Sequence, residues 1–382
     1  MNTEDSITSF EELNLREEVI RGIYSYGFEK PSLIQSLAIP KMLSGKDLIA
    51  QAHSGTGKTA TFLISVLQKI DLTVEGAQAI VLAHTHELAE QIYDVCKNLC
   101  HYMKVTPVLC VGGQKIEKTR DELYKNTTIV IGTPGRIIDL INRSYLSTRS
   151  VKILVVDEAD EMLSRNFQPQ VKNVIEQLPM STQMCIFSAT LPSAVFELTE
   201  KFMNSPEKIL VANEKLTLDG IKQYYINIQK DRWKFETFCE LYTMISVSQT
   251  IVYVNSIKRA NILKEALNER NFPVSMIHSD MSSTERADIM REFKGGSTRI
   301  LISTDLLARG IDIQQISIVI NYDLPRNKEC YIHRIGRSGR FGRKGVAINF
   351  ITDDESRQLR DLISYYKTEI TEMPKNIQDL IF

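Results

Sequence analysis

Along this chain, short apolar runs rich in β-branched residues alternate with longer amphipathic stretches. In the first half the runs are DLIAQA, AIVLAH, PVLCVG, TIVIGT, ILVVDE and QMCIFSA. In the second they are TIVYVN, VSMIH, RILIST, ISIVINY and VAINFI. Strands apolar on both faces are buried on both, as in a parallel sheet covered by helices on either side. The pattern predicts an α/β protein with enough strands for two parallel sheets. A polar seam, LVANEKLTLDGIK, follows the strand-like KILV and carries Gly220. It divides the chain into an expected first domain over residues 1–211, a linker over 212–221 and a second domain over 222–382.

Composition narrows the class. The chain has 382 residues, 43% of them hydrophobic, and a net charge of −1 from 46 basic and 47 acidic side chains. That balance argues against a basic tail wrapped around nucleic acid, though not against a local basic groove. No apolar run reaches the roughly 18 residues of a membrane span. The opening MNTEDSITSFEEL is acidic and polar, unlike a secretory signal. Of the six cysteines only Cys96 and Cys100 are close, and no second pair completes a zinc pattern. Reduced thiols in a cytosolic or nuclear protein are the expectation.

Two motifs carry chemistry. After DLIAQA comes His53-Ser54-Gly55-Thr56-Gly57-Lys58-Thr59. A strand, a glycine-bearing loop ending Gly-Lys-Thr, then a helix is the arrangement that wraps a phosphate in backbone N–H groups. Lys58 would reach the β- and γ-phosphates, and the Thr59 hydroxyl would bind Mg²⁺. The first glycine usual in such loops is Ala52 here. Then ILVVDEAD ends a buried-looking strand in Asp157-Glu158-Ala159-Asp160. Carboxylates at that edge of a parallel sheet sit where such sheets bind ligands. Asp157 suits holding Mg²⁺ through its water shell, and Glu158 suits orienting the attacking water. Alone, the first motif could be a turn and the second an acidic helix start; together they read as nucleotide hydrolysis.

These stretches, with SAT at Ser188 to Thr190 and HRIGRSGR at His333 to Arg340, resemble the DEAD-box RNA helicases in content and order. GFEKPSLIQ, TPGR, STDLLARGID, LTLDGIKQYY, INYDLPRNKECYIHRIGRSGRFGRKGVAINF and the terminal YYKTEITEMPKNIQDLI extend the likeness over essentially the whole chain. Within the family it is most similar to the translation initiation factor 4A subfamily. The resemblance implies two RecA-like domains and an RNA-dependent ATPase using ATP and Mg²⁺. Such an enzyme would bind the RNA backbone without sequence specificity and remodel short duplexes as the lobes close, in translation initiation. An ATP-gated RNA clamp serving as an assembly platform in RNA processing shares every motif and remains the alternative. The subfamily further implies a monomeric cytoplasmic core (a nuclear one stays open), no membrane, and a helical-repeat scaffold protein as partner.

Residue by residue, the resemblance places the adenine against Phe28, near Lys30, with Gln35 reading its edge. A side-chain amide donates to N7 and accepts from the N6 amino group together, which selects adenine over guanine. Ser54, Gly55, Thr56, Gly57, Lys58 and Thr59 would hold the phosphates and Asp312 the ribose. Arg337 and Arg340 would act as arginine fingers, with His333 holding the network between lobes. Ser188 and Thr190 would bond Asp160 and couple ATP state to RNA. RNA contacts would come from Thr85, His86, Gly112, Gly113, Thr133, Pro134, Gly135, Arg136, Arg286, Ser303, Thr304 and Arg309.

Three positions depart from the family pattern: Ser279, Ser283 and the stretch His84-Thr85-His86-Glu87-Leu88, where Pro-Thr-Arg-Glu-Leu is usual. On a strand, His84 and His86 would share a face and suggest a metal site. The third ligand would have to be Glu87, which alternates away. The segment's place after the phosphate loop matches RNA binding instead. His86 then stands where an arginine is expected, and RNA affinity should be weaker and rise on acidification.

Overall fold

The structure, a computed structural model, describes residues 7–52, 55–163, 167–191, 193–210, 221–244, 249–305, 316–336, 338 and 345–374. Contacts divide the chain into two units, Met1–Val211 and Ala212–Phe382. Residues 212–220 of the expected linker lie outside the described residues, and Ile221 opens a strand.

The first unit holds β1 (Leu48–Gln51), β2 (Ala79–Leu82), β3 (Pro107–Cys110), β4 (Ile129–Gly132), β5 (Ile153–Val156), β6 (Gln183–Ser188) and β7 (Glu207–Leu210). They form one seven-stranded sheet in the order β3-β4-β2-β5-β6-β1-β7, and every pairing is parallel. Its helices are α1 (Glu17–Ser25), α2 (Leu33–Leu43), α3 (Lys58–Lys69), α4 (His86–Leu99), α5 (Ile116–Leu123), α6 (Pro134–Asn142), α7 (Ala159–Met162), α8 (Gln168–Glu176) and α9 (Ser193–Phe202). Because side chains alternate along a strand, each face has its own core. Ala79, Val81, Ile131, Val155 and Phe187 pack with Phe62 and Ile39 on one side. Ile80, Leu82, Val130, Leu154, Val156 and Ile186 pack with Ile137 and Val171 on the other.

The second unit repeats the plan. Its strands are β8 (Ile221–Gln229), β9 (Thr250–Tyr253), β10 (Val274–Ile277), β11 (Ile300–Ser303), β12 (Ile318–Asn321), β13 (Gly345–Thr352) and β14 (Thr371–Glu372). Their order is β10-β11-β9-β12-β13-β8-β14, again all parallel. Helices α10 (Lys234–Met244), α11 (Ile257–Glu269), α12 (Ser283–Lys294), α13 (Lys328–Ile335) and α14 (Ser356–Tyr366) accompany them. Strand β8 is absent from the apolar runs because lysine, glutamine and asparagine interrupt the apolar residues of IKQYYINIQ, which is half-exposed. The expected fold class, two RecA-like parallel-sheet domains, is what the chain adopts. No helix among the described residues is long and apolar enough to cross a membrane.

Candidate ATP and RNA site

Strand order decides which loops meet at the carboxyl edge of the first sheet. Reading across β3-β4-β2-β5-β6-β1, the loops carry Gly112-Gly113, then Thr133-Pro134-Gly135-Arg136, then His84-Thr85-His86. After these come Asp157-Glu158, then Ser188-Ala189-Thr190, and last the phosphate loop. Segments far apart in sequence, such as Ala52 and Ser188, whose backbones bond at 3.0 Å, thus become neighbours at the site expected of an open parallel sheet.

The phosphate loop turns on Gly55 and Gly57, at φ +84° and +98°. That left-handed backbone costs a side-chain-bearing residue about 1 kcal/mol or more. Gly57 caps α3, so Lys58 and Thr59 begin the helix whose N-terminus favours an anion. Lys58 is buried, and its Nζ donates to the Ala52 carbonyl at 2.8 Å. Gln35 is buried beside the loop. Its Oε1 accepts from the Ser32 N–H at 2.8 Å, as the return arm of the α2 capping box. Its Nε2 donates to the Gly57 carbonyl at 3.4 Å. Phe28 is half-buried against the first core and 5.0 Å from the Tyr26 ring, while Lys30 is exposed. Ser54 lies outside the described residues.

Asp157 leaves β5 with its N–H bonded to the Leu82 carbonyl of β2 at 3.1 Å. Burial, partly offset by Lys58 and reinforced by Glu158, pushes its carboxyl up to about 7. Its Oδ1 accepts from the Glu158 N–H at 2.9 Å. Glu158, also buried, takes the left-handed conformation at φ 48°, ψ 54° and caps α7. Such strain in a non-glycine residue concentrates at functional sites. Two places on, the Asp160 N–H donates to Ser188 Oγ at 3.1 Å, and Thr190 Oγ1 donates to Asp160 Oδ2 at 2.8 Å. The structure therefore brings Asp160, Ser188 and Thr190 into one hydrogen-bonded set. Thr59 and Asp157 offer a hydroxyl and a buried carboxylate, oxygen donors that fit a hard cation such as Mg²⁺.

The histidine segment is not a strand. Strand β2 stops at Leu82, and Thr85 caps α4 by accepting from the Leu88 N–H at 3.2 Å. So the expected shared face of His84 and His86 does not exist. His84 is buried, with Nδ1 3.5 Å from Glu158 Oε2. His86 opens the helix and lies against Gly112, where an added Cβ would come within 3.2 Å of its Nε2. Among the described residues no group of three His, Cys, Asp or Glu could hold a metal ion. Gly113 has φ +78°. Thr133 caps α6, its N–H bonded to the Cys110 carbonyl at 3.1 Å, with Pro134 in the first helical turn and Gly135 exposed. Arg136 donates to the Gln114 carbonyl at 2.9 Å.

In the second unit, Arg286 sits in the first turn of α12, which a Ser282–Glu285 capping box starts. Ser303 is buried at the end of β11 and donates to the Thr304 carbonyl at 2.7 Å. His333 is fully buried on α13. Arg309, Asp312, Arg337 and Arg340 lie outside the described residues. Ser279 bonds its neighbour Asp280 at 3.0 Å, and Ser283 begins α12.

The motif reading gave no role to Arg334, the first arginine of HRIGRSGR, yet it is fully buried. Its Nε donates to Asp305 Oδ1 at 2.6 Å, and its NH1 to the Asp323 carbonyl at 2.7 Å and Asn321 Oδ1 at 3.2 Å. Its NH2 donates to Asn255 Oδ1 at 2.8 Å. One guanidinium thereby ties the ends of β9, β11 and β12. Only its alternation with glycine and its two companions hinted at this in the sequence.

Two family models match the chain. The DEAD/DEAH box helicase model covers residues 32–198, and the helicase conserved C-terminal domain covers residues 233–342. The chain is 52% identical over 380 residues to the eukaryotic initiation factor 4A of Caenorhabditis elegans, covering 100% of itself and 94% of that protein. It is 51% identical to the ATP-dependent RNA helicase eIF4A of Mycosarcoma maydis, covering 100% and 92%. Among solved structures, S. cerevisiae Dbp5 bound to RNA and ADP BeF3 is similar with a TM-score of 0.89 and 37% identity, over 97% of each chain.

Proposed function

The chain belongs to the DEAD-box helicases, in the subfamily of initiation factor 4A, and from there we infer that it is an ATP-dependent RNA helicase of translation initiation. It is an RNA-dependent ATPase that grips the RNA backbone and locally remodels short duplexes. The observation that carries the reading is the order of loops along the first sheet. Phosphate-binding and carboxylate loops occupy one half of its edge, and the glycine- and hydroxyl-rich loops occupy the other.

The roles of individual residues follow as proposals. Gln35 and Phe28 select and stack the adenine, and the Gly55–Thr59 backbone with Lys58 binds the phosphates. Thr59 and Asp157 would hold Mg²⁺, which supplies charge neutralisation at the phosphates. Glu158 orients the attacking water, and Arg337 and Arg340 stabilise the charge that develops on the γ-phosphate. The Asp160–Ser188–Thr190 set is supported as a coupling element by its hydrogen bonds. Thr85, His86, Gly112, Gly113 and the Thr133–Arg136 turn offer hydroxyls, N–H groups and charge to phosphates, a combination without base readout. A helical-repeat scaffold protein is the partner proposed, and the cytoplasm the location.

ATP turnover measured with and without single-stranded RNA tests the reading. RNA should accelerate hydrolysis, and Glu158→Gln should remove it while ATP binding persists. Turnover indifferent to RNA would sink the assignment.

A further inference from the structure

His84 and Glu158 meet where the two halves of the sheet edge join. Strand β2 pairs with β5, and the Asp157 N–H to Leu82 carbonyl bond closes that pairing at 3.1 Å. His84 lies two residues beyond Leu82, and Glu158 two beyond Val156. Their side chains face each other at 3.5 Å, each only 6% exposed. The backbone of Glu158 is also fixed, by its N–H to Asp157 and by its carbonyl, which accepts from Glu161 and Met162 at 2.9 and 3.1 Å. With the main chain held, the imidazole limits where the carboxylate can point. At 3.5 Å the contact is longer than a direct hydrogen bond and has room to tighten in a loaded site.

On the other side of His84 the chain runs straight into the RNA half. Thr85 caps α4, and His86 packs on Gly112 of the β3 loop. A force on Thr85 and His86 therefore reaches His84 through one or two covalent links, and Glu158 through one side-chain contact. Proline, which the family pattern has at this position, offers no such donor.

Resting on the function proposed above, we propose that His84 is a positioning residue for Glu158, carrying occupancy of the adjoining Thr85–His86 segment to the carboxylate that orients the attacking water. No new chemistry is required of the imidazole; it sets an orientation. Orientation is costly to lose, since misplacing a reacting group by about an ångström can cost up to ~10²-fold in rate.

The test is steady-state ATP hydrolysis by the full chain with saturating single-stranded polyuridine RNA, on wild type, His84→Leu, His84→Asn, His84→Gln and Glu158→Gln. His84→Leu should lower the RNA-stimulated kcat by about five- to tenfold, the worth of one ordinary hydrogen bond. The KM for ATP and the Kd for RNA should move less than about twofold, because neither ligand is bound by His84. Asparagine places its amide nitrogen near Nδ1 and should recover most of the rate. Glutamine, whose nitrogen corresponds to Nε2, should not, and this pair decides the matter even where the leucine variant folds poorly. An unchanged kcat in His84→Leu, or equal rates for asparagine and glutamine, overturns the proposal while leaving the functional reading intact. Absence of RNA-stimulated, Glu158-dependent turnover in the wild type overturns both.

Discussion

On the proposed function, Gln35 is a site residue held in place before its ligand arrives. Its Oε1 accepts from the Ser32 N–H and its Nε2 donates to the Gly57 carbonyl. That leaves one N–H and one lone pair for the edge of adenine. Gln35→Ala should raise the KM for ATP about tenfold and narrow the preference for ATP over GTP, measured as the ratio of kcat/KM values. His86 makes a second residue-scale case. It stands where the family pattern has an arginine, whose fixed charge attracts phosphate. His86→Arg should tighten RNA binding several-fold at about pH 7.5, which fluorescence titration would register. Equal curves for both proteins would refute the idea.

At the scale of elements, the sheets were legible because their strands are continuous apolar runs, which periodicity detects without context. Ile153 to Val156 and Ile318 to Asn321 are wholly buried strands, and both stood out in the sequence. Strand β8 did not, since polar residues break its isoleucines and tyrosines into no continuous apolar run. The phosphate and DEAD loops were legible from local spacing. The His84–Glu158 contact was not, because it depends on β2 lying next to β5, a non-local pairing that no short window contains. Arg334 escaped for the same reason: its partners come from three separate strand ends. Its planar fork serves four acceptors at once, which a lysine ammonium cannot match. Arg334→Lys should therefore destabilise the second unit by about 3 kcal/mol, the scale of a broken buried charge network. Thermal or urea unfolding of the full chain would show this as loss in the transition that involves residues 222–382.

For the whole molecule, the machinery is divided between two units that each carry a complete sheet and their own cores. The phosphate loop and the carboxylates lie in the first; Arg337 and Arg340 belong to the second. On the proposed function, ATP binding needs only the first unit and hydrolysis needs both. Residues 1–211 prepared alone should bind ATP yet turn it over at least ~10³-fold more slowly than the full chain, the usual worth of an arginine finger. Comparable rates would show that the second unit's arginines are not catalytic.

The sheet order has a further consequence, for synthesis on the ribosome. Strand β1 precedes the phosphate loop, but its neighbours are β6 and β7, the last two strands of its sheet to be made. Strands β2 to β5 pair among themselves and can assemble as soon as residue 156 is free. The apolar segment Leu48 to Ala50 must wait until residues 183–188 emerge. At roughly 5–20 residues per second, that leaves an unpaired hydrophobic strand in the nascent chain for on the order of ten seconds. The candidate ATP site is thus among the last parts of its own domain to form, and an early-folding fragment presents a ready slot beside β5 for whatever strand reaches it first.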